Sequence, residues 1–146
     1  MIAPVRTTRF RTVRCIIRQG DRFLLVIHRG ARAAARRWGL PGGRMEERES
    51  FEDTARREIR EELGIILGPL IEVGEYRYKG ARHKVLGTEY VEPIIVFHRA
   101  ELRKIGWHTL EEVVALARAG NLHAGFEHHA IGDFVRQITT ERGTRE

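Results

Sequence analysis

The chain has 146 residues, one cysteine, and 26 Lys and Arg against 20 Asp and Glu, for a formal charge of +6. A single cysteine excludes an intrachain disulfide and a thiolate zinc cage, and no run of 18 apolar residues is present to cross a membrane as a helix. The length suits one domain, residues 1–146, that buries roughly two-thirds of its unfolded surface, and no repeat or linker divides it.

Residues 1–9 and 141–146 are expected to be flexible ends. The opening MIAPVRTTRFRTVR lacks the apolar core of a signal peptide, so a cytoplasmic protein is expected. Val13, Cys15 and Ile17 alternate with Thr12, Arg14 and Ile16. A turn at Gln19-Gly20-Asp21 then leads into Phe23 to Ile27. This pattern predicts a hairpin whose second strand is buried on both faces, with Cys15 in the core. Arg29, Arg32, Arg36 and Arg37 crowd the next connection. They fit an ordinary solvated loop, and they also fit a clamp on phosphate oxygens, for which Arg29 and Arg37 are the candidates.

Trp38-Gly39-Leu40-Pro41-Gly42-Gly43 follows, and its paired glycines allow close approach of backbone to a ligand. Ser50, with Asp53 three residues on, predicts a capped helix start. Phe51, Ala55, Ile59 and Leu63 make one apolar stripe, and Gly64 supplies the stop. At about 100° per residue, Glu58, Glu61 and Glu62 fall within an arc of roughly 100° beside that stripe. Two readings fit this arc. One is a solvated face laced by Arg57 with Glu61 and Glu58 with Arg60. The other is a site where a hard divalent cation relieves the repulsion of the carboxylates.

Charge is unevenly spread. Between Glu46 and Glu62 there are eight acids and four Arg, a net of −4, which leaves +10 elsewhere. An acidic patch in a basic shell suits a metal–polyphosphate complex, although an Arg-rich composition serving solubility accounts for it too.

Farther on, Leu70 to Tyr78 reads as a strand, Lys79 to His83 as a basic hairpin loop, and Lys84 to Tyr90 as the partner strand. Tyr76 and Tyr78 share a face. Tyr76 is a candidate for stacking on a base, beside the plainer reading of sheet packing. Pro93 to His98 reads as a central strand, and Ile105 to His108 as a short one. Thr109 with Glu112 predicts a capping box for a helix through Ala119, with Gly120 as C-cap. Phe126, Ala130, Phe134 and Ile138 predict a terminal helix. His123, His128 and His129 are assigned surface or core roles, the last two pointing apart.

The outline Gly43, Glu49, Arg57-Glu58-Ile59, Glu61-Glu62, Gly64-Ile65 resembles, position for position, the signature of the Nudix hydrolase superfamily, of MutT-like type. The lead-in Trp38 to Gly43 is similar as well. The resemblance is specific for residues 38–65 and general elsewhere. It implies an α/β fold, an α/β/α sandwich with a mixed central sheet. It also implies Mg²⁺- or Mn²⁺-dependent cleavage of a phosphoanhydride in a nucleoside diphosphate linked to another group. Glu58, Glu61 and Glu62 are then the metal ligands, helped by the Gly42 carbonyl, with Glu58 also the general base or water-orienting group. Arg57 and Glu49 form a supporting ion pair, and Glu49 faces a second metal. An additional acid is sought among Glu101, Glu89 and Glu92.

A nucleoside triphosphate is the first substrate expectation. ADP-ribose or a dinucleoside polyphosphate comes second, followed by trimming of RNA 5′ ends and by a non-catalytic nucleotide-sensing module. The expected partner is a small nucleotide rather than a membrane or a nucleic acid. Exposed sheet faces leave room for a homodimer.

Overall fold

The computed structural model describes residues 10–30 and 36–145, with side chains placed as far as Glu141. Residues 1–9 and Arg32 lie outside the described residues. The elements run β1 (Thr12–Gln19), β2 (Arg22–His28), β3 (Gly42–Arg44), α1 (Phe51–Leu63), β4 (Ile71–Tyr78), β5 (Ala81–Glu89), β6 (Leu102–Thr109), α2 (Leu110–Arg118) and α3 (Glu127–Arg145). Five strands follow the order β4-β5-β1-β2-β6, and β3 pairs with β1. β1 and β5 are parallel while the other pairs are antiparallel, so the sheet is mixed.

β1 and β2 pair only next to their turn, at Arg18 with Phe23 and Gln19 with Arg22. Beyond that point they part, and the 39–44 segment fills the gap. Gly39 exchanges both backbone hydrogen bonds with Val26 at 2.8 Å, Cys15 N donates to Pro41 O at 2.8 Å, and Gly42 to Arg44 pair with Arg14 to Thr12. The glycine turn is therefore stitched into the middle of the sheet, and backbone bonding of this kind holds it far more firmly than a surface loop.

Helices cover both faces. Ile59 and Leu63 of α1 pack on Cys15, Ile17, Leu24 and Val26. On the other face Val113 of α2 and Ala130, Ile131 and Phe134 of α3 pack on Ile16, Phe23, Leu25 and Val85. The architecture is the expected α/β/α sandwich, and β2 is buried on both faces as expected. Cys15 is fully buried, which pushes its thiol up to about 12 and suits a core residue. Among the described residues, no helix is long and apolar enough to cross a membrane.

Three expectations need correction. Pro93 to His98 forms no strand: Ile94 is buried on the α1 side, but Ile95 and Val96 are 84% and 72% exposed. The edge of β2 is taken by Leu102–Thr109, a longer strand than foreseen, so the 93–98 segment does not hold the central place its β-branched run suggested. The turn after β4 is confined to Lys79-Gly80, with β5 starting at Ala81, so His83 belongs to a strand and not to a basic loop. The capping box of Thr109 and Glu112 is present, but the C-cap of α2 is Ala119, with Gly120 following at φ +73°.

Candidate active site

Helix α1 begins where local chemistry sets it. Ser50 Oγ accepts the Asp53 amide at 3.0 Å, Asp53 returns a bond to the Ser50 amide, and Gly64 closes the helix in the left-handed region at φ +66°. Ala55, Ile59 and Leu63 then anchor the helix on the sheet, which leaves the acidic arc at its edge.

The two glycines set how this arc meets the turn. Gly42 has φ +136°, and a Cβ there would lie 2.2 Å from Val13 O; at Gly43 a Cβ would lie 2.4 to 2.6 Å from the Glu58 carboxylate. Gly42 is thus held to glycine by backbone, whereas at Gly43 the obstacle is the end of the Glu58 side chain, pressed against the turn. The Gly42 amide donates to Glu62 Oε1 at 2.9 Å. The other oxygen of Glu62 lies 3.2 Å from His28 Nε2, and the side chain is almost wholly buried.

Arg14 of β1 completes the junction: its Nη1 donates to the Gly42 carbonyl at 3.0 Å and sits 3.3 Å from His28 Nε2. Glu58 is half-buried beside it. Burial pushes its carboxyl up and the charge of Glu62 adds to this, against a hydrogen bond from Arg57 at 2.9 Å.

Arg57 grips Glu49 with both ends of its fork, Nε to Oε2 at 2.7 Å and Nη2 to Oε1 at 2.9 Å, and donates to Arg44 O at 2.9 Å. Thr54 and the Glu46 amide also donate to Glu49 Oε1. The Arg57 hydrogen bonds hold the Glu49 carboxyl at about 2. The same partner pushes the guanidinium pKa up. The expected ion pair between loop and helix is present.

A cavity of about 380 Å³ opens over this junction. Glu58, Glu62, Gly42 and Gly43 form one part of its wall, and Arg11, Arg14, Arg29, Arg44 and Lys79 supply the cations around it. Of the three additional acids considered, Glu101 lines the cavity, whereas Glu89 pairs with Arg18 at 2.6 Å. Not every expected site residue arrives there. Glu61 is about half exposed, 3.5 Å from Arg57, and Glu49 is spent on Arg57; neither lines the cavity.

Arg29 lines the cavity, while Arg37 lies in an adjoining depression that shares Tyr78, Lys79 and His123 with it. Tyr76 is not brought to the site. Its hydroxyl donates to Asp133 Oδ2 at 2.5 Å and its ring stacks on Phe126, so packing against α3 claims it, and Tyr78 is the tyrosine that faces the cavity. His123, assigned a surface or core role, lines the cavity as well, and the His128 and His129 rings, expected to point apart, are 3.9 Å apart.

A model of the NUDIX domain family matches residues 8–129. The chain belongs to the Nudix family. It is 34% identical over 86 residues to Nudix hydrolase 21, chloroplastic, of Arabidopsis thaliana, a match covering 54% of this chain and 43% of that protein. It is 30% identical over 117 residues to the NAD-capped RNA hydrolase NudC of Mycobacterium tuberculosis, covering 77% of this chain and 37% of that one. The chain thus spans about two-fifths of the length of these curated relatives. Among solved structures it resembles the MutT NUDIX hydrolase from Burkholderia pseudomallei, with a TM-score of 0.62, 27% identity, and 71% and 86% of the two chains covered.

Family members use divalent metal ions, and the donor set here suits one kind of site. Among the described residues no group of three or more His, Cys, Asp and Glu side chains is placed to hold a metal ion by itself. Glu58 and Glu62 are two hard oxygen donors on a cavity large enough for a phosphate chain. That matches a cation which takes one or two carboxylates, keeps waters and adds substrate phosphates, as Mg²⁺ does. Sequence reasoning missed Arg14, His28 and His83 as wall residues. Arg14 and His83 each read as one more residue of a strand or loop, and only the pairing of distant segments brings them to the wall of one cavity.

Proposed function

We propose that this cavity hydrolyses a phosphoanhydride bond of a nucleoside diphosphate derivative, with a nucleoside triphosphate as the favoured substrate. The observation that carries this reading is the meeting of Glu58 and Glu62 with a ring of Arg and Lys in one cavity of nucleotide size. A pure binding site for an anion gains nothing from two carboxylates in its wall, since they repel phosphate.

In this reading Glu58 and Glu62 hold the metal, with Glu61 joining from the exposed side and the Gly42 carbonyl already oriented by Arg14. The ion, Mg²⁺ or Mn²⁺, supplies charge neutralisation on the phosphates and a more acidic water. Glu58 takes or orients the proton of the attacking water, and the upward push on its carboxyl brings it nearer to the basicity such a role needs. Arg57 with Glu49 keeps α1 in register with the turn. Arg14, Arg29 and Arg44 bind phosphate oxygens, and Glu101 is the additional acid.

A second reading, hydrolysis at the 5′ end of an RNA, draws on the relative acting on NAD-capped RNA and on the basic surface of this chain. Phosphorus NMR of products decides between them, using canonical and oxidised nucleoside triphosphates, ADP-ribose, diadenosine polyphosphates and triphosphorylated RNA with Mg²⁺. Turnover of one class by the wild type, lost in Glu62→Gln, is the expected result. No turnover of any class by folded protein that binds Mn²⁺ overturns the choice of substrate. No turnover together with no metal binding favours a nucleotide-sensing module.

A further inference from the structure

The run from Tyr90 to His98 crosses the α1 side of the sheet and is fastened at its two ends. The Tyr90 amide donates to Arg18 O at 3.0 Å, Gln19 Nε2 donates to the carbonyls of Tyr90 and Glu92 at 2.9 Å each, and the His98 amide donates to Glu62 O at 2.8 Å. In between, Ile94 is buried with Leu24, Val26, Leu63 and Leu102, which pins the middle of the run to the core. What faces outward is apolar too. Four large apolar side chains are exposed among the described residues, and three of them belong to this run: Val91 at 85%, Ile95 at 84% and Val96 at 72%. A single apolar residue on a surface needs no explanation, but three within six positions make an apolar strip that burial would relieve.

The backbone of the run is open as well. Among the described residues, the main chain of Ile94, Ile95, Val96 and Phe97 takes part in no hydrogen bond. Unpaired N–H and C=O groups beside β-branched side chains are a template for another chain, and Pro93, which lacks an N–H, confines such pairing to the residues after it. The two ends carry opposite charges, Glu92 before the exposed pair Ile95 and Val96, and Arg99 after it. Neither has an ion-pair partner among the described residues, and the Arg99 guanidinium lies 5.2 Å from the centroid of the Phe97 ring. A run of this kind is complementary to itself when reversed. Laid antiparallel across a two-fold axis, it sets Glu92 of each copy beside Arg99 of the other and brings Ile95 and Val96 together at the centre. Laid parallel, it would set like charges side by side, which is unfavourable.

We propose that the run Val91–Arg99 is an interface with a second copy of this chain, formed by antiparallel apposition across a two-fold axis near Ile95 and Val96. Nine residues are few beside the roughly 20 to 30 a side of a standard interface, so a dissociation constant in the micromolar range is expected. The surface lies outside the cavity that holds Glu58 and Glu62 and stands independently of the hydrolase reading.

The test is sedimentation velocity of the full chain from about 1 µM to about 1 mM. The expected result is a monomer–dimer equilibrium within that range. Ile95→Glu changes a side chain that is 84% exposed, so it should leave the circular dichroism spectrum and the Tm unchanged while weakening association about tenfold or more. Glu92→Arg should weaken association about fivefold, and adding Arg99→Glu should restore it, because the two reversals rebuild the pair in the opposite sense. A monomer at every concentration overturns the proposal. So does a dimer that Ile95→Glu leaves intact, since its contact then lies elsewhere and the strip has a different occupant. Association that grows without limit overturns the two-fold closure, and a dimer that the double reversal does not restore overturns the antiparallel arrangement. If Ile95→Glu does not fold, the charge reversals at Glu92 and Arg99 decide alone.

Discussion

Arg57 holds both oxygens of Glu49, with Nε 2.7 Å from Oε2 and Nη2 2.9 Å from Oε1, and so ties the loop before α1 to the helix. The fold favours the charged carboxylate, lowering its pKa from 4.5 to about 2. Stability from this pair is therefore fully present above pH 4.5 and is lost as the pH falls toward about 2. Glu49→Gln should be less stable than the wild type by on the order of 1 kcal/mol at pH 7, a figure kept small by solvent screening at the edge of the site. Urea unfolding at a series of pH values should show the difference shrinking below pH 4.5. A gap that stays constant down to pH 3 would mean that the pair adds no acid-sensitive stability.

The two glycines of the turn should fail in different ways. Gly42→Ala forces a Cβ against the Val13 carbonyl at a φ that side chains avoid, and should cost about 3 kcal/mol, seen as a lowered Tm. Gly43→Ala meets only the end of the Glu58 side chain, which can swing aside. It should fold with near-normal stability and lose activity at least tenfold through the displaced carboxylate, in keeping with the sensitivity of catalysis to small misplacements.

Removing charge from the acidic arc should give an unequal series. Glu58→Gln and Glu62→Gln should each lower kcat by on the order of 10², since both line the cavity. Glu61→Gln should lose less than about tenfold, because its half-exposed carboxylate stands outside the wall. Glu62→Gln keeps an oxygen for the Gly42 amide, so circular dichroism melting should move little. Equal losses across the three would show that Glu61 turns inward when substrate and metal bind.

Tyr76→Phe separates packing from substrate contact. It removes the hydroxyl bonded to Asp133 and leaves the ring on Phe126. Stability should fall by about 1 kcal/mol while kcat/KM for a nucleotide stays within about twofold. A large rise in KM would return Tyr76 to the binding surface.

Much of α1 was legible from residues alone because its determinants are local. Ser50 and Asp53 cap it within one turn, the Phe51 to Leu63 stripe has helical spacing, and Gly64 ends it. The same locality makes the acidic arc readable, and with it the outline that marks the family. Pro93 to His98 shows the opposite case. Its β-branched run fits a strand, but a strand exists only beside another, and β6 already occupies the edge of β2.

By itself, then, the sequence determined the helix, its caps, the glycine turn and the carboxylates they carry, since each depends on neighbours within a few residues. Only the tertiary structure decided which cations and rings face them. Arg14 reaches Gly42 across 28 positions, and His83 reaches Thr12 across 71. Such contacts follow from strand pairing and sheet order, which no local pattern encodes.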